Sequence, residues 1–524
     1  MANKGFDIVI KNGKILDGTG NPWYHADVGI VDDTIVEIKK HLRGRKNIDA
    51  LGYIVAPGFI DIHSHSDITV LIDPMAQSKI RQGVTTEIVG QCGNSAAPMY
   101  ESYRKYRNAY NRNTVPDDFE FDWTTMKSYM ERVERQGTAV NIAPVVGHGT
   151  VRANVLGYEN REPTAAELKA MKGHVKDALE DGAWGMSTGL IYPPSVFGKQ
   201  PEITELAKVV AKYDGVYFSH IRGESETLLE AVTEACEIGH DSGTPVQIAH
   251  FKSSGKEYWG RTKESLALVE KYRNIGVDVT FDQYPYIASS TGLTALLPHW
   301  AHEGGATKML EALNDPVKVA KIKGDQRLNY GWDNILVTSA KNHSEYNGRN
   351  IQTIAEMMKK DPFDAFIQLL IIENTQVPCV MFGMHEDDVR RVMQSPYGMV
   401  GSDGSAIASS GIWKNTVPHP RFYGTFPRVI GYYVREGVIS LQEAVRKMTG
   451  APAKKVGFKD RGFIREGYKA DITVFNPDTV KDEATFTDPQ KYPTGILYVW
   501  VNGTVVVKKG KHTGELPGRS LKKR

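Results

Sequence analysis

Between residues 57 and 455 the chain repeats one pattern, a short apolar run followed by a helical stretch, and this repetition constrains its fold more than any other feature. Strand-like runs fall at 59–62, 84–89, 140–146, 184–187, 216–219, 246–250, 277–282 and 399–402, with helical patterns such as 164–181 and 224–238 between them. Buried strands alternating with helices specify a parallel sheet joined by crossovers. Eight such repeats predict an α/β protein with a (β/α)8 TIM-type barrel. A ninth run at 379–382 leaves the strand count open by one. The interval from Asp282 to Val400 is too long for one repeat, so it predicts a lid-like insertion near the barrel mouth at about 291–341.

The flanks read differently. Residues 1–56 hold strand-like runs at 6–11, 14–16, 26–31 and 34–38, with Asn12-Gly13 as a hairpin signal. Residues 456–524 hold runs at 471–475, 496–501 and 504–508, with Asn502-Gly503 between the last two. Each flank is too short for a good core of its own, so the two are expected to pair as one small β-sandwich domain. The Lys- and Arg-rich stretch 508–524 reads as a solvated, flexible terminus.

In a βα barrel every strand C-terminus meets on one face, and that is where chemistry sits. The first strand runs into Asp61-Ile62-His63-Ser64-His65, and strand alternation places the two histidines on the same side. The second runs into Gly90-Gln91-Cys92-Gly93, later strands end in His220 and His250, and the last ends in Asp403. Alone, each has an ordinary explanation: a buried thiol, a satisfied core histidine, a helix cap. Together at the strand ends, they point to a metal centre. Imidazole and thiolate ligands favour zinc over magnesium or calcium. Cys92, His220 and His250 supply the three ligands of a tightly held zinc with one open position. His63, His65 and Asp403 can hold a second, weaker ion beside it, with the Cys92 sulfur as a bridge.

Composition excludes other classes. A net charge of +2 gives no reason to expect nucleic acid or an acidic membrane surface. Three cysteines, Cys92, Cys236 and Cys379, make no disulfide framework, which suits a reducing cytoplasm. No run approaches the roughly 18 apolar residues of a membrane span. The expected partner is a small-molecule substrate; the oligomeric state is left open.

Pro57-Gly58-Phe59-Ile60-Asp61-Ile62-His63-Ser64-His65, Gly90-Gln91-Cys92-Gly93, Ser219-His220-Ile221-Arg222 and Ile248-Ala249-His250-Phe251-Lys252 resemble motifs of the amidohydrolase superfamily. So do Asp282-Gln283-Tyr284-Pro285-Tyr286, Gly401-Ser402-Asp403-Gly404 and His419-Pro420-Arg421. The cysteine and the His-Pro-Arg segment are similar to the N-acyl-D-amino-acid deacylase (D-aminoacylase) branch. That resemblance implies zinc-dependent hydrolysis of an N-acyl-D-amino acid, with Asp403 as general acid and base. It places Arg421 on the substrate carboxylate, where a planar guanidinium fits. Lys252 is a second cation for that role, and Tyr192, Tyr284 and Tyr286 are candidate hydroxyl donors. His148 and Arg222 are expected to orient ligands. The rival readings are a cyclic amide hydrolase of the hydantoinase or dihydroorotase kind, a dipeptidase, or a non-catalytic metal-bound binding protein. The first two normally bridge two metals with a carboxylated lysine, and Cys92 in that place argues against them; Asp403 argues against the last.

Overall fold

Eight short strands follow one another around a closed ring in chain order. They are β1 (Phe59–Asp61), β2 (Val84–Val89), β3 (in two pieces, Asn141–Pro144 and Val146–Gly147) and β4 (Gly185–Gly189). Then come β5 (Val216–His220), β6 (Val246–Ile248), β7 (Val279–Gln283) and β8 (Gly398–Val400). Neighbours pair in parallel throughout, and the bridge Ser64↔Gly404 joins the last strand to the first. The protein was analysed as a computed structural model that describes residues 5–104, 115–116, 118–325 and 331–523. Residues 1–4, 326–330 and 524 of the segments named above lie outside the described residues.

Side chains from five strands, Ile60, Ile88, Ala143, Phe218 and Met399, meet in one buried cluster and fill the ring. Helices cover its outside. The one at Ala165–Glu180 starts on a reciprocal cap between Thr164 and Glu167, the sequence signature of a helix start. A later one, Leu228–Ser242, ends on Gly243 in the left-handed conformation. It begins four residues later than the expected 224–238, leaving Glu224 in the loop that follows β5.

The run at 379–382 is not a barrel strand. Pro378–Met381 lies between Ser289–Gly292 and Ile335–Val337 in a separate antiparallel sheet. The insertion therefore extends from Ser289 to Met381, well beyond the expected 291–341. It packs its own core of Leu293, Ile335, Ile354, Phe366, Leu370 and Cys379. A short apolar strand looks the same in either sheet, which is why the sequence left the count open.

The two flanks join edge to edge in one nine-stranded sheet. Ile54–Pro57 pairs antiparallel with Ile472–Phe475, and Val28, Ile30, Ile35, Val474 and Trp500 share a core. Asn12-Gly13 is not the expected hairpin. Phe6–Ile15 is one long strand whose register shifts between Ile10 and Gly13, with Asn12 at a φ of 61°. A left-handed Asn serves a bulge as readily as a turn.

The tail corrects a second expectation. Pro517 and Ser520 bridge to Thr138 and Ile142, the Lys523 amide donates to the Gly182 carbonyl at 2.9 Å, and Trp184 Nε1 donates to the Leu521 carbonyl at 2.8 Å. The basic side chains suggested solvation, but the backbone of the segment is bonded to the barrel, and Arg519 and Lys523 themselves reach Asp33 and the Asp214 carbonyl. Deleting residues 516–524 should lower the melting temperature while leaving the fold in place, at about 1 kcal/mol for each lost hydrogen bond. An unchanged thermal midpoint in calorimetry would show that the strap adds nothing.

Candidate metal centre

Six side chains converge above the ring. Cys92 Sγ lies 3.4 Å from His63 Nε2 and 3.7 Å from His250 Nε2, and His250 Nε2 lies 2.8 Å from His220 Nδ1. On the other side, Asp403 Oδ1 is 2.9 Å from His65 Nε2 and 3.5 Å from His63 Nε2. They form two overlapping groups, His63–His65–Cys92–Asp403 and Cys92–His220–His250, whose ligand atoms all lie within 4.8 Å of one another in each group. The thiol belongs to both. All but His65 are buried.

The backbone is bent to bring them together. Cys92, His250 and Asp403 have φ values of 52°, 36° and 49°, a region that side-chain-bearing residues seldom enter. Each stands two or three residues past a strand end, where such a turn swings the side chain back over the ring. Three strained residues meeting at one point mark a site held for its geometry rather than for stability.

Two carboxylates stand behind the histidines. Asp282 Oδ1 accepts from His63 Nδ1 at 3.1 Å and from the His250 amide at 2.8 Å, and Gln247 Nε2 holds its other oxygen at 3.0 Å. Glu224 Oε1 lies 3.0 Å from His250 Nδ1. An Nδ1 proton given to a carboxylate leaves Nε2 free to bind a metal. Neither acid was assigned a role from sequence. Asp282 was visible as an acid at the end of an apolar run; Glu224 carried no signal, because its loop had been read as helix.

Charge fits a cation. Burial alone would raise the Cys92 thiol, but the imidazoles of His63, His220 and His250 hold it well below its ordinary value. Burial works against ionised Asp403 too, and Arg421, His250, His63 and His65 outweigh it, keeping the carboxyl well below the usual range. His65 is pushed up to about 9, burial opposing and Asp403 and Cys92 prevailing. A thiolate, a carboxylate and imidazoles with oriented tautomers form a donor set that fits zinc.

The outer residues divide. Arg421 Nη1 lies 2.9 Å from Asp403 Oδ2, Nη2 donates to the Ser290 carbonyl at 3.2 Å, and Nε is buried with no acceptor among the described residues. Tyr284 lies under that guanidinium, 4.7 Å from ring centre to Arg421, and its hydroxyl reaches Met384 Sδ at 3.7 Å. Tyr192 packs edge-on against His220 and bonds Thr291 of the insertion at 2.8 Å. Lys252 pairs with Glu224 at 2.5 Å and touches His250 Nδ1 at 2.8 Å, so its charge is matched beside a histidine instead of standing open to a substrate.

Tyr286 does not join the centre. Its hydroxyl faces the Pro420 carbonyl at 3.5 Å and its ring packs on His419, Phe486 and Arg428. His148 and Arg222 do not touch the ligands either. His148 bonds Ser195 at 2.7 Å and Glu202 at 2.8 Å, while Arg222 holds Glu234 and the carbonyls of Val196 and Gly198.

Beside His65 opens a cavity of about 420 Å³, walled by the barrel mouth, the insertion and the segment from Ser405 to Phe422. Ser290, Thr294, Met309 and Val377 come from the insertion, while Ile68, Ile407, Trp413 and Phe422 complete an apolar surface.

Comparison with known proteins agrees with this architecture. A model of the amidohydrolase family matches residues 46–267 and 409–507. The chain is 34% identical to a D-aminoacylase of Alcaligenes xylosoxydans xylosoxydans, over 98% of this chain and 97% of that protein. It superposes with a TM-score of 0.85 and 35% identity on an N-acyl-D-glutamate deacylase of Bordetella bronchiseptica, solved with zinc and a phosphonate mimic of the tetrahedral intermediate, covering 99% of this chain and 100% of that one. A D-aminoacylase structure described by the functional role of its binuclear metal centre gives a TM-score of 0.84 at 36% identity, covering 99% of this chain and 100% of that one. The chain belongs to the amidohydrolase family, in the branch that holds the D-aminoacylases.

Proposed function

We propose that this protein is a metal-dependent hydrolase that splits N-acyl-D-amino acids into a carboxylate and a free D-amino acid. The observation that supports this best is one thiol, four imidazoles and an ionised carboxylate gathered at the barrel mouth beside a buried arginine, in a chain so close to a D-aminoacylase. We assign Cys92, His220 and His250 to one tightly held zinc, and His63, His65 and Asp403 to a second, weaker ion. Bound there, zinc acidifies a water and polarises the scissile carbonyl.

The chain's own residues do the rest. Asp403, kept ionised by Arg421 and the histidines, accepts the proton of the attacking water and passes it to the departing amine. Arg421, whose Nε is buried without an acceptor among the described residues, takes the substrate's α-carboxylate in its planar fork. Tyr284 supports the guanidinium from below, and Tyr192 fixes the insertion against His220. Lys252 acts through Glu224 on His250.

The cavity narrows the substrate. Its described lining includes no lysine or arginine and does include Asp67. A carboxylate entering it would meet no lysine or arginine among the described residues, and its desolvation costs several kcal/mol. The substituent it favours is therefore uncharged and largely apolar, unlike the side chain of glutamate or aspartate.

Three measurements test this reading. N-acetyl-D-leucine or N-acetyl-D-methionine should exceed N-acetyl-D-glutamate in kcat/KM by about 100-fold or more, corresponding to roughly 2.7 kcal/mol; equal values would refute the cavity argument. Cys92→Ala should lose the tightly held zinc on elemental analysis, whereas His65→Ala should keep it; full zinc in the cysteine variant would show the ligand set to be wrong. Asp403→Asn should keep its zinc and melting temperature but lose about 10²–10⁴-fold in kcat. Near-normal turnover there would sink the mechanism.

A further inference from the structure

Below the candidate centre lies a charged cluster with no access to solvent. Lys79, on the short helix Gln77–Ile80, sends its ammonium into the seam between β1 and β8. Its Nζ lies 2.7 Å from Asp61 Oδ2, 2.6 Å from Ser402 Oγ and 3.0 Å from the Gly404 carbonyl, with Glu87 Oε2 at 3.4 Å. Lys79, Asp61, Glu87 and Ser402 are all 0% exposed. Such burial of charge is costly unless every partner is well placed.

The partners are specific. Ser402 and Gly404 are the residues on either side of Asp403, so one ammonium grips both of its neighbours. Asp61 reinforces the grip: Oδ1 accepts the Ser402 amide at 2.8 Å and the His63 amide at 3.3 Å, and Oδ2 accepts the Ser402 hydroxyl at 2.6 Å. Between these held neighbours Asp403 has a φ of 49°. A non-glycine residue stays in that region only where its surroundings over-determine it.

We infer that Lys79 is a positioning residue for the reaction: by binding both neighbours of Asp403, it holds that residue in the left-handed conformation that aims its carboxylate at the centre. This rests on the role proposed for Asp403 above. The Lys79 ammonium bonds Asp61, Ser402 and the Gly404 carbonyl rather than the side chain of a candidate ligand, and it lies outside the family motifs.

The test uses the full chain as wild type, as Lys79→Met, and as Lys79→Met combined with Glu87→Gln. The double variant removes one charge of each sign, which guards against a fold lost to an unmatched acid. Turnover of N-acetyl-D-leucine, zinc content and melting temperature are read on each, and a crystal structure is determined for a folded variant. The expected result is retained zinc, KM within about twofold, and kcat lower by about 10²-fold or more, with residue 403 outside the left-handed region. A purely structural lysine would lower the melting temperature and leave kcat per bound zinc unchanged; that outcome, or failure of both variants to fold, overturns the inference. Wild type without turnover would instead remove the deacylase reading, and the backbone at residue 403 in the variant would still decide the role of Lys79.

Discussion

The close approach of β8 to β1 sets the geometry of the barrel mouth. At Gly401 a Cβ would stand 2.7 Å from His63 Cβ and 3.0 Å from Asp282 Oδ1, so no larger residue fits there without parting the two strands. The strands meet through one bridge and through the Asp403 amide on the His63 carbonyl at 2.8 Å. β4 and β5, by contrast, pair along five residues. The seam is thus held by side chains and single backbone contacts where the rest of the ring is held by a ladder.

Strain and support are paired at the mouth. Left-handed conformations at Cys92, His250 and Asp403 cost about 1–3 kcal/mol each. Close packing offsets that cost. A Cβ on Gly189 would lie 2.1 Å from the Cys92 carbonyl oxygen, so the cysteine loop sits directly on bare backbone. The His250 amide is held by Asp282, which also orients His63. Two histidines 187 positions apart in the chain thereby share one acid.

The convergence of the six side chains was legible in the sequence because two regularities coincide there: strand ends share a face, and histidine, cysteine and aspartate at such ends have few bland uses in combination. What lay beyond was harder to read for definite reasons. Tyr284 and Tyr286 are two residues apart, which in a strand would put them on one face, but β7 stops at Gln283 and the Tyr286 amide turns back to the Tyr284 carbonyl at 3.0 Å. Glu224 meets His250 across 26 positions because their strands are neighbours in the ring, and Lys79 meets Ser402 across 323 because the ring closes its last strand on its first. The tail was misread because charge forecasts solvation of side chains and says nothing of backbone bonds to Thr138 and Gly182.

The family match stops at residue 267 and resumes at 409, and the gap contains the insertion with its own sheet and its own core. The candidate ligands His63, Cys92, His220 and His250 fall in the matched part together with Ile68, Trp413 and Phe422 of the cavity wall, while Asp403 of the barrel and Ser290, Thr294, Met309 and Val377 of the insertion fall in the gap. Under the proposed reading, part of the wall that sorts substrates therefore belongs to a separately packed piece of the chain, while the machinery that breaks the bond stays on the barrel strand ends. Substrate choice in such a protein can drift over generations while the chemistry stays fixed.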